Sequence, residues 1–265
     1  TFGEDTYLSS RMAEAIISGE QGNDISQDDH VVCEPKHYLA HGFPESGLNC
    51  SPARAGSREI RSEYLPVFAA GIQESGAYNA MAAYHSIDGT PLICSRYYLT
   101  DVLKGELGLK GYIRADFGAV NRLRNEHHLT DNDLDSIALA LNAGLDVTGF
   151  DFSNEVWQSG VVQLVRSGRI PMERINDAVR RILRVKFELG LFDHPYADEK
   201  KYRRIVRSEA HRELCLNAAR ESMVLLKNDG VLPLRKAPAS IALLGPSSHC
   251  QRLGSYASTP YGYQV

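Results

Sequence analysis

Four short strand-like runs, residues 31–38, 78–84, 110–115 and 145–148, recur along this chain, and each is followed by a helical pattern or a long loop. No other feature limits the possible folds as much. Repeated strand-then-helix order implies a parallel sheet with right-handed crossovers. The spacing of apolar residues predicts the helices between the strands. Residues 6–19 place Leu8, Met12, Ala15 and Ile16 on one face behind Asp5 as N-cap. Residues 57–71 carry Ile60, Tyr64 and Phe68 at helical spacing, and a further helix covers 96–106. Residues 131–142 turn Leu134, Ile137, Ala138 and Leu141 inward and stop at Gly144, as glycine after a helix does. Two more helices are expected over 155–167 and 172–189, the second striped by Ile175, Val179, Ile182 and Leu183 and ended by Gly190.

A closed barrel takes eight strands and about 250 residues. Four strands therefore fit either an open sheet or half of a barrel. After residue 195 the pattern changes. A helix is expected at 208–223, with short apolar runs at 224–227 and 241–244 and a Pro-containing connector, 232–240, between them. This reads as the start of a second α/β unit.

Composition removes several function classes. The net charge of −4 and a pI near 6.1 provide no basic face for nucleic acid or an anionic membrane. No apolar run approaches the ~20 residues of a membrane span. The first residues are polar and show no signal peptide. Five cysteines, Cys33, Cys50, Cys94, Cys215 and Cys250, form no CxxC or Cys/His metal pattern and read as small apolar residues, with one disulfide left open. An open-sheet nucleotide-binding protein is a poor reading, because no GxGxxG or P-loop follows any strand. Neither a cofactor nor a metal is expected. His127-His128 lacks a third ligand nearby and reads as a solvated loop.

The third strand leads to the candidate chemistry. Lys110 to Ala115 ends on one carboxylate, Asp116, just before a new element begins. In a parallel α/β architecture the C-terminal strand ends face the active site. An acid there is a candidate nucleophile, though on these residues alone a helix cap is the plainer reading. Lys36 and His37 close the first strand, and Met81 and Tyr84 lie in the second. An ammonium offers three donors, and an imidazole donates or accepts, which suits sugar hydroxyls. A surface Lys beside a core His, a core aromatic and a core Met are the plainer readings of these four.

Several stretches in order resemble glycoside hydrolase family 3, the retaining β-glucosidases, β-xylosidases and their relatives. Thr1-Phe2-Gly3-Glu4-Asp5-Thr6-Tyr7-Leu8 is similar to the family's Tyr-Gly-Glu-Asp-Pro-Tyr-Leu segment, with Thr6 in place of Pro. Lys36-His37-Tyr38 resembles its Lys-His-Phe/Tyr motif, and Met81 to Tyr84 with Ile87-Asp88-Gly89-Thr90-Pro91 resembles its Met-x-x-Tyr…Asp-Gly-x-Pro run. Gly108 to Asp116, Ala143-Gly144-Leu145-Asp146, Arg180 to Leu183 and Glu221 to Leu234 follow in the family's order. Around Asp116 the chain departs from the pattern: Ala115 stands where Ser is common, and Phe117 where Trp or Cys is.

The resemblance implies a (β/α)8 TIM-type barrel followed by an α/β sandwich domain. In that frame residues 1–195 are the C-terminal half of the barrel, and 196–265 are a linker and the first elements of the sandwich. It implies Asp116 as nucleophile and Lys36, His37, Met81 and Tyr84 as substrate-binding residues. The substrate would be an oligosaccharide or β-glycoside with terminal glucose or xylose. The resemblance places the acid/base outside these residues, with His41 and Glu45 only bordering the pocket entrance, and gives Asp146 a structural role. It also implies another chain or segment that completes the barrel, and a secreted or periplasmic location. A catalytically inactive relative that binds sugar or a protein is the alternative.

Overall fold

The computed structural model describes residues 2–234, 238, 240–246, 248 and 256. Cys250 lies outside them. The chain divides into two compact units, Thr1–Ala197 and Asp198–Val265.

The first unit opens with helix α1, Thr6–Gln21, whose N-cap Asp5 accepts from the Leu8 N–H. Helix α2 spans 57–74 and alternates α and π turns. Pro66 has no N–H to give and crowds the turn before it, and the wide turn at Ile60–Tyr64 sits directly ahead of it. Strand β1, Ala80–Ala82, leads to a small hairpin of β2, Ser86–Ile87, and β3, Thr90–Pro91, closed by Asp88-Gly89. Helix α3, Tyr97–Glu106, is built of π turns. Strand β4, Ile113–Ala115, is followed by α4, Ala119–Asn125, and α5, Asp133–Ala143, which stops on Gly144 at φ +120. Helices α6, Asn154–Arg166, and α7, Met172–Glu188, complete the unit.

Parallel order runs through all four expected runs. β1 and β4 pair in parallel, with Ala80 opposite Ile113 and Ala82 opposite Ala115. Parallel bridges join Tyr38 to Ala82 on one side and Arg114 to Val147 on the other. The outer two runs are extended but too sparsely bonded to be strands. In the first, Pro35 cannot donate and only accepts, from the Met81 N–H at 3.3 Å.

Alternation along these runs sorts the side chains onto two faces. Ala80, Ala82, Ile113 and Ala115 are fully buried against the helices in one continuous core, which also holds Leu99, Leu103, Val120, Leu123 and Leu145. Tyr38 belongs to this layer. Its ring meets Phe68 edge-on at 5.1 Å and its hydroxyl donates to the Tyr98 carbonyl. The opposite face carries Met81, which is in register with Arg114, and then Asp116 two residues further along.

The second unit contains α8, Glu199–Ile205, capped by Asp198, and α9, Glu209–Glu221, capped by Ser208. The strands expected at 224–227 and 241–244 are absent among the described residues. Leu226 is 91% and Leu244 90% exposed, so these apolar runs have no sheet to pair with or pack on.

Among the described residues no helix is long and apolar enough to cross a membrane. Cys33, Cys50, Cys94 and Cys215 are free thiols.

Candidate active site

The C-terminal ends of the parallel runs bring Lys36-His37, Tyr84-His85, Asp116 and the 148–151 loop to one end of the first unit. The peptide bonds Lys36-His37 and Tyr38-Leu39 are cis.

Asp116 follows β4 directly and its side chain is 14% exposed. One oxygen, Oδ1, accepts from the Phe117 N–H at 2.7 Å. The other, Oδ2, lies 3.2 Å from His37 Nε2. Asp116 does not cap α4 with its side chain. That role belongs to Asp151, whose Oδ1 accepts from the N–H groups of Val120 at 2.6 Å and Asn121 at 3.0 Å. Its Oδ2 accepts from Thr148 Oγ1 and the Gly149 N–H. Asp151 is therefore a buried carboxylate with every nearby donor committed to it, while Asp116 stays turned towards His37.

Gly149 makes this arrangement possible. A Cβ there would stand 2.6 Å from the Ala115 carbonyl oxygen and 2.9 Å from that of Asp116. The loop is drawn in further by the Gly118 N–H, which donates to the Gly149 carbonyl at 2.7 Å. The aromatic rings of Phe117 and Phe150 meet edge-on at 4.9 Å beside it, both exposed.

His37 is held neutral. Burial first, then the neighbouring His41, pushes its pKa down to about 4, against the pull of Asp116. Its ring centroid is 4.1 Å from that of His41, which in turn is 6.2 Å from that of His85. Burial also lowers the pKa of His41, and takes that of fully buried His85 down to about 4.

Tyr84 is buried, and burial followed by the Asp116 charge raises its hydroxyl to about 12. The hydroxyl donates to the Phe117 carbonyl at 2.7 Å, so it braces the Asp116 turn through the backbone of the next residue. The Arg122 guanidinium covers the Tyr84 ring at 4.4 Å. Lys36 is exposed beside His37. Met81 is buried one register level below the site, opposite Arg114, whose guanidinium binds Glu34 at 2.8 Å.

Other sequence expectations shift. His127 is not simply a solvated residue: its Nε2 lies 2.9 Å from the Tyr84 carbonyl and its ring is half-buried. Glu45 pairs with Arg54 in its own loop. Among the described residues no group of three or more His, Cys, Asp or Glu side chains is placed to hold a metal ion. Sequence reasoning missed Asp151, Arg122 and the partnership of His41 with His85. The only local signal was that His85 directly follows Tyr84.

The arrangement offers a carboxylate at a strand end, a neutral imidazole against it, and a buried phenol fixing its turn. That set can attack or stabilise an electrophilic carbon and bind hydroxyl groups around it.

Comparison with known proteins points the same way. The family model for the glycosyl hydrolase family 3 N terminal domain matches residues 1–185. A periplasmic beta-glucosidase of Salmonella typhimurium is 34% identical over 97% of this chain and 34% of its own length. A beta-xylosidase of Formosa agariphila is 33% identical over 99% of this chain and 39% of its own length. A β-glucosidase structure from Erythrobacter marinus superposes with a TM-score of 0.82 at 34% identity, covering 88% of this chain and 31% of that one. A Listeria innocua beta-glucosidase in complex with isofagomine superposes at 0.80 with 31% identity, covering 88% of this chain and 32% of that one. The chain thus spans about a third of the length of the curated relatives it matches.

Proposed function

Starting from the fact that the chain belongs to glycoside hydrolase family 3, whose N-terminal domain is a TIM-barrel-like α/β fold, we propose that it carries the nucleophile side of a retaining exo-β-glycosidase. The substrate is a β-glycoside or oligosaccharide ending in glucose or xylose, the sugars named by its relatives. Residues 1–195 are the second half of the barrel, and 196–265 begin a sandwich domain. Further polypeptide, in this chain or another, completes the barrel. The periplasmic relative supports a site of action outside the cytoplasm.

In this reading the Asp116 carboxylate attacks the anomeric carbon. The glycosidic C–O bond breaks, and an acid from outside these residues protonates the departing oxygen. The same group then takes a proton from water. That water attacks the glycosyl-aspartate and frees Asp116 with the configuration retained. His37, neutral and next to the carboxylate, donates to and accepts from sugar hydroxyls together with Lys36. Tyr84 and Met81 form the wall of the same subsite. The observation that carries the reading is the exchange of roles between two aspartates: Asp151 caps α4, and Asp116 faces His37 at 3.2 Å.

Proton NMR of the first sugar released from a β-glycoside tests the mechanism. The β anomer should appear first and then mutarotate. Initial release of the α anomer would overturn a two-step displacement at Asp116.

A further inference from the structure

Three imidazoles, from residues that follow two different strands, line up behind the Asp116 carboxylate. His37 touches it, His41 packs on His37 with centroids 4.1 Å apart and planes at 44°, and His85 lies beyond at 6.2 Å. His41 Nδ1 and both ring nitrogens of His85 are buried, with the Leu39 backbone close to the His85 ring.

We propose that His41 is a positioning residue for His37: its ring packs on the His37 imidazole and fixes the orientation that aims Nε2 at Asp116. The proposal rests on the reading of Asp116 and His37 given above. The chain is shaped for this contact. Tyr38, Leu39 and Ala40 are buried, and Ala40 takes a left-handed φ of +59 that a side chain seldom adopts. The turn there folds His41 back over the residue four positions earlier. His85, fixed at the end of the β1 run by the Leu92 N–H on its carbonyl, supports the far side.

Packing also fixes charge. Two rings 4.1 Å apart in a partly dry site cannot both be protonated without strong repulsion. The charged and titratable groups facing the three rings are Lys36 beside them, Asp116 at the end of β4, and His127 from the loop after α4. Burial first, then the His41 ring and Lys36, oppose a proton on His37, and Asp116 favours one. The outcome is a His37 that stays neutral well below the usual imidazole range. A protonated His37 would instead clamp Asp116 in an ion pair and blunt its attack.

The test uses the intact polypeptide that contains this chain, with a p-nitrophenyl β-glycoside as substrate. His41→Ala removes the ring, and His41→Phe keeps a ring but no titrating nitrogen. For H41A, kcat/KM near neutrality should fall roughly 10-fold to 100-fold, the scale of a misplaced site group. The acid limb of its pH profile, which reports the free enzyme, should move up towards the ordinary imidazole pKa. H41F should restore most of the rate and move the limb most of the way back, since it renews the burial of His37 but not the repulsion between the rings. An H41A limb that does not move, or an H41F limb displaced as far as that of H41A, would overturn the proposal. Long-range 1H–15N NMR titration of His37 follows its protonation directly, without turnover. In the wild-type protein His37 should stay neutral at pH 5.5, and a His37 titrating near 6.5 contradicts the proposal even if H41A fails to fold. Absence of turnover by the wild-type protein would instead strike the glycosidase reading, leaving the NMR result to decide the role of His41.

Discussion

The two ends of the parallel runs treat buried charge in opposite ways. At the start of β4, Asp146 is fully buried with its carboxylate between Lys104 at 2.8 Å and Arg174, and its second oxygen accepts from the Ile113 N–H. Asp177 binds Lys104, Arg174 and Arg181. Arg181 also donates to the carbonyls of Leu109 and Gly111. Every group there has a partner. At the other end Asp151 is satisfied in the same way, but Asp116 accepts only from the Phe117 N–H and faces a neutral imidazole, His37, at 3.2 Å. The saturated end ties helices α3 and α7 to the sheet. The other end holds the Asp116 carboxylate against an uncharged ring. This is the division expected of a barrel, with stability at the N-terminal face and chemistry at the C-terminal face.

Substitutions at the two ends should separate these roles. The largest effect is expected from Asp116→Ala, which should lower kcat by about 10⁴-fold or more, as loss of a nucleophile does. Its thermal midpoint should stay close to that of the wild type. A large loss of stability with activity kept would invert the comparison. Asp146→Ala should do the reverse. Removing the deeper of two carboxylates from Lys104 and Arg174, with Asp177 still paired to both, costs up to about 3 kcal/mol, read from urea denaturation, while the protein that remains folded keeps its kcat.

Acid acts on the end that carries the imidazoles. An unfolded His85 takes its proton near 6.5, whereas the buried one resists until about 4. With respect to this group the folded state is therefore most stable above 6.5 and loses up to about 3 kcal/mol as pH falls from 6.5 to 4. Denaturation at pH 7 and pH 4.5 should show that loss, and His85→Asn should flatten it. An unchanged slope in H85N would assign the acid sensitivity elsewhere. The smallest effect concerns the cap. Asp151→Ala should cost about 1–2 kcal/mol through the freed N–H groups of α4. It should also lower kcat/KM, because the Asp116 turn leans on the same loop.

Much of the fold was legible because helices carry their own boundaries. Asp5 and Gly144 cap α1 and α5 where their residue types predict. The parallel order of the four runs was legible from alternation alone. Their ladders were not, since Pro35 and the short reach of 145–148 leave single bridges where whole strands were expected. The apolar runs at 224–227 and 241–244 misled because hydrophobicity signals a strand only when a sheet is there to bury it. The ordered motifs singled out Asp116, His37 and Tyr84, which the fold brings to one end of the parallel runs. Asp151 was invisible because it caps a helix that begins more than thirty residues earlier in the chain. His41, His85 and Arg122 act through ring contacts that no local spacing announces.

The central claim is that Asp116 forms the covalent bond to sugar. A 2-deoxy-2-fluoro β-glycoside with a good leaving group slows breakdown of such an intermediate enough to weigh it. After incubation with the intact polypeptide and proteolysis, mass spectrometry should find the fluoroglycosyl increment on the peptide containing Asp116, and none in Asp116→Ala. An increment on a different carboxylate, or unlabelled protein that still hydrolyses β-glycosides, would contradict the account.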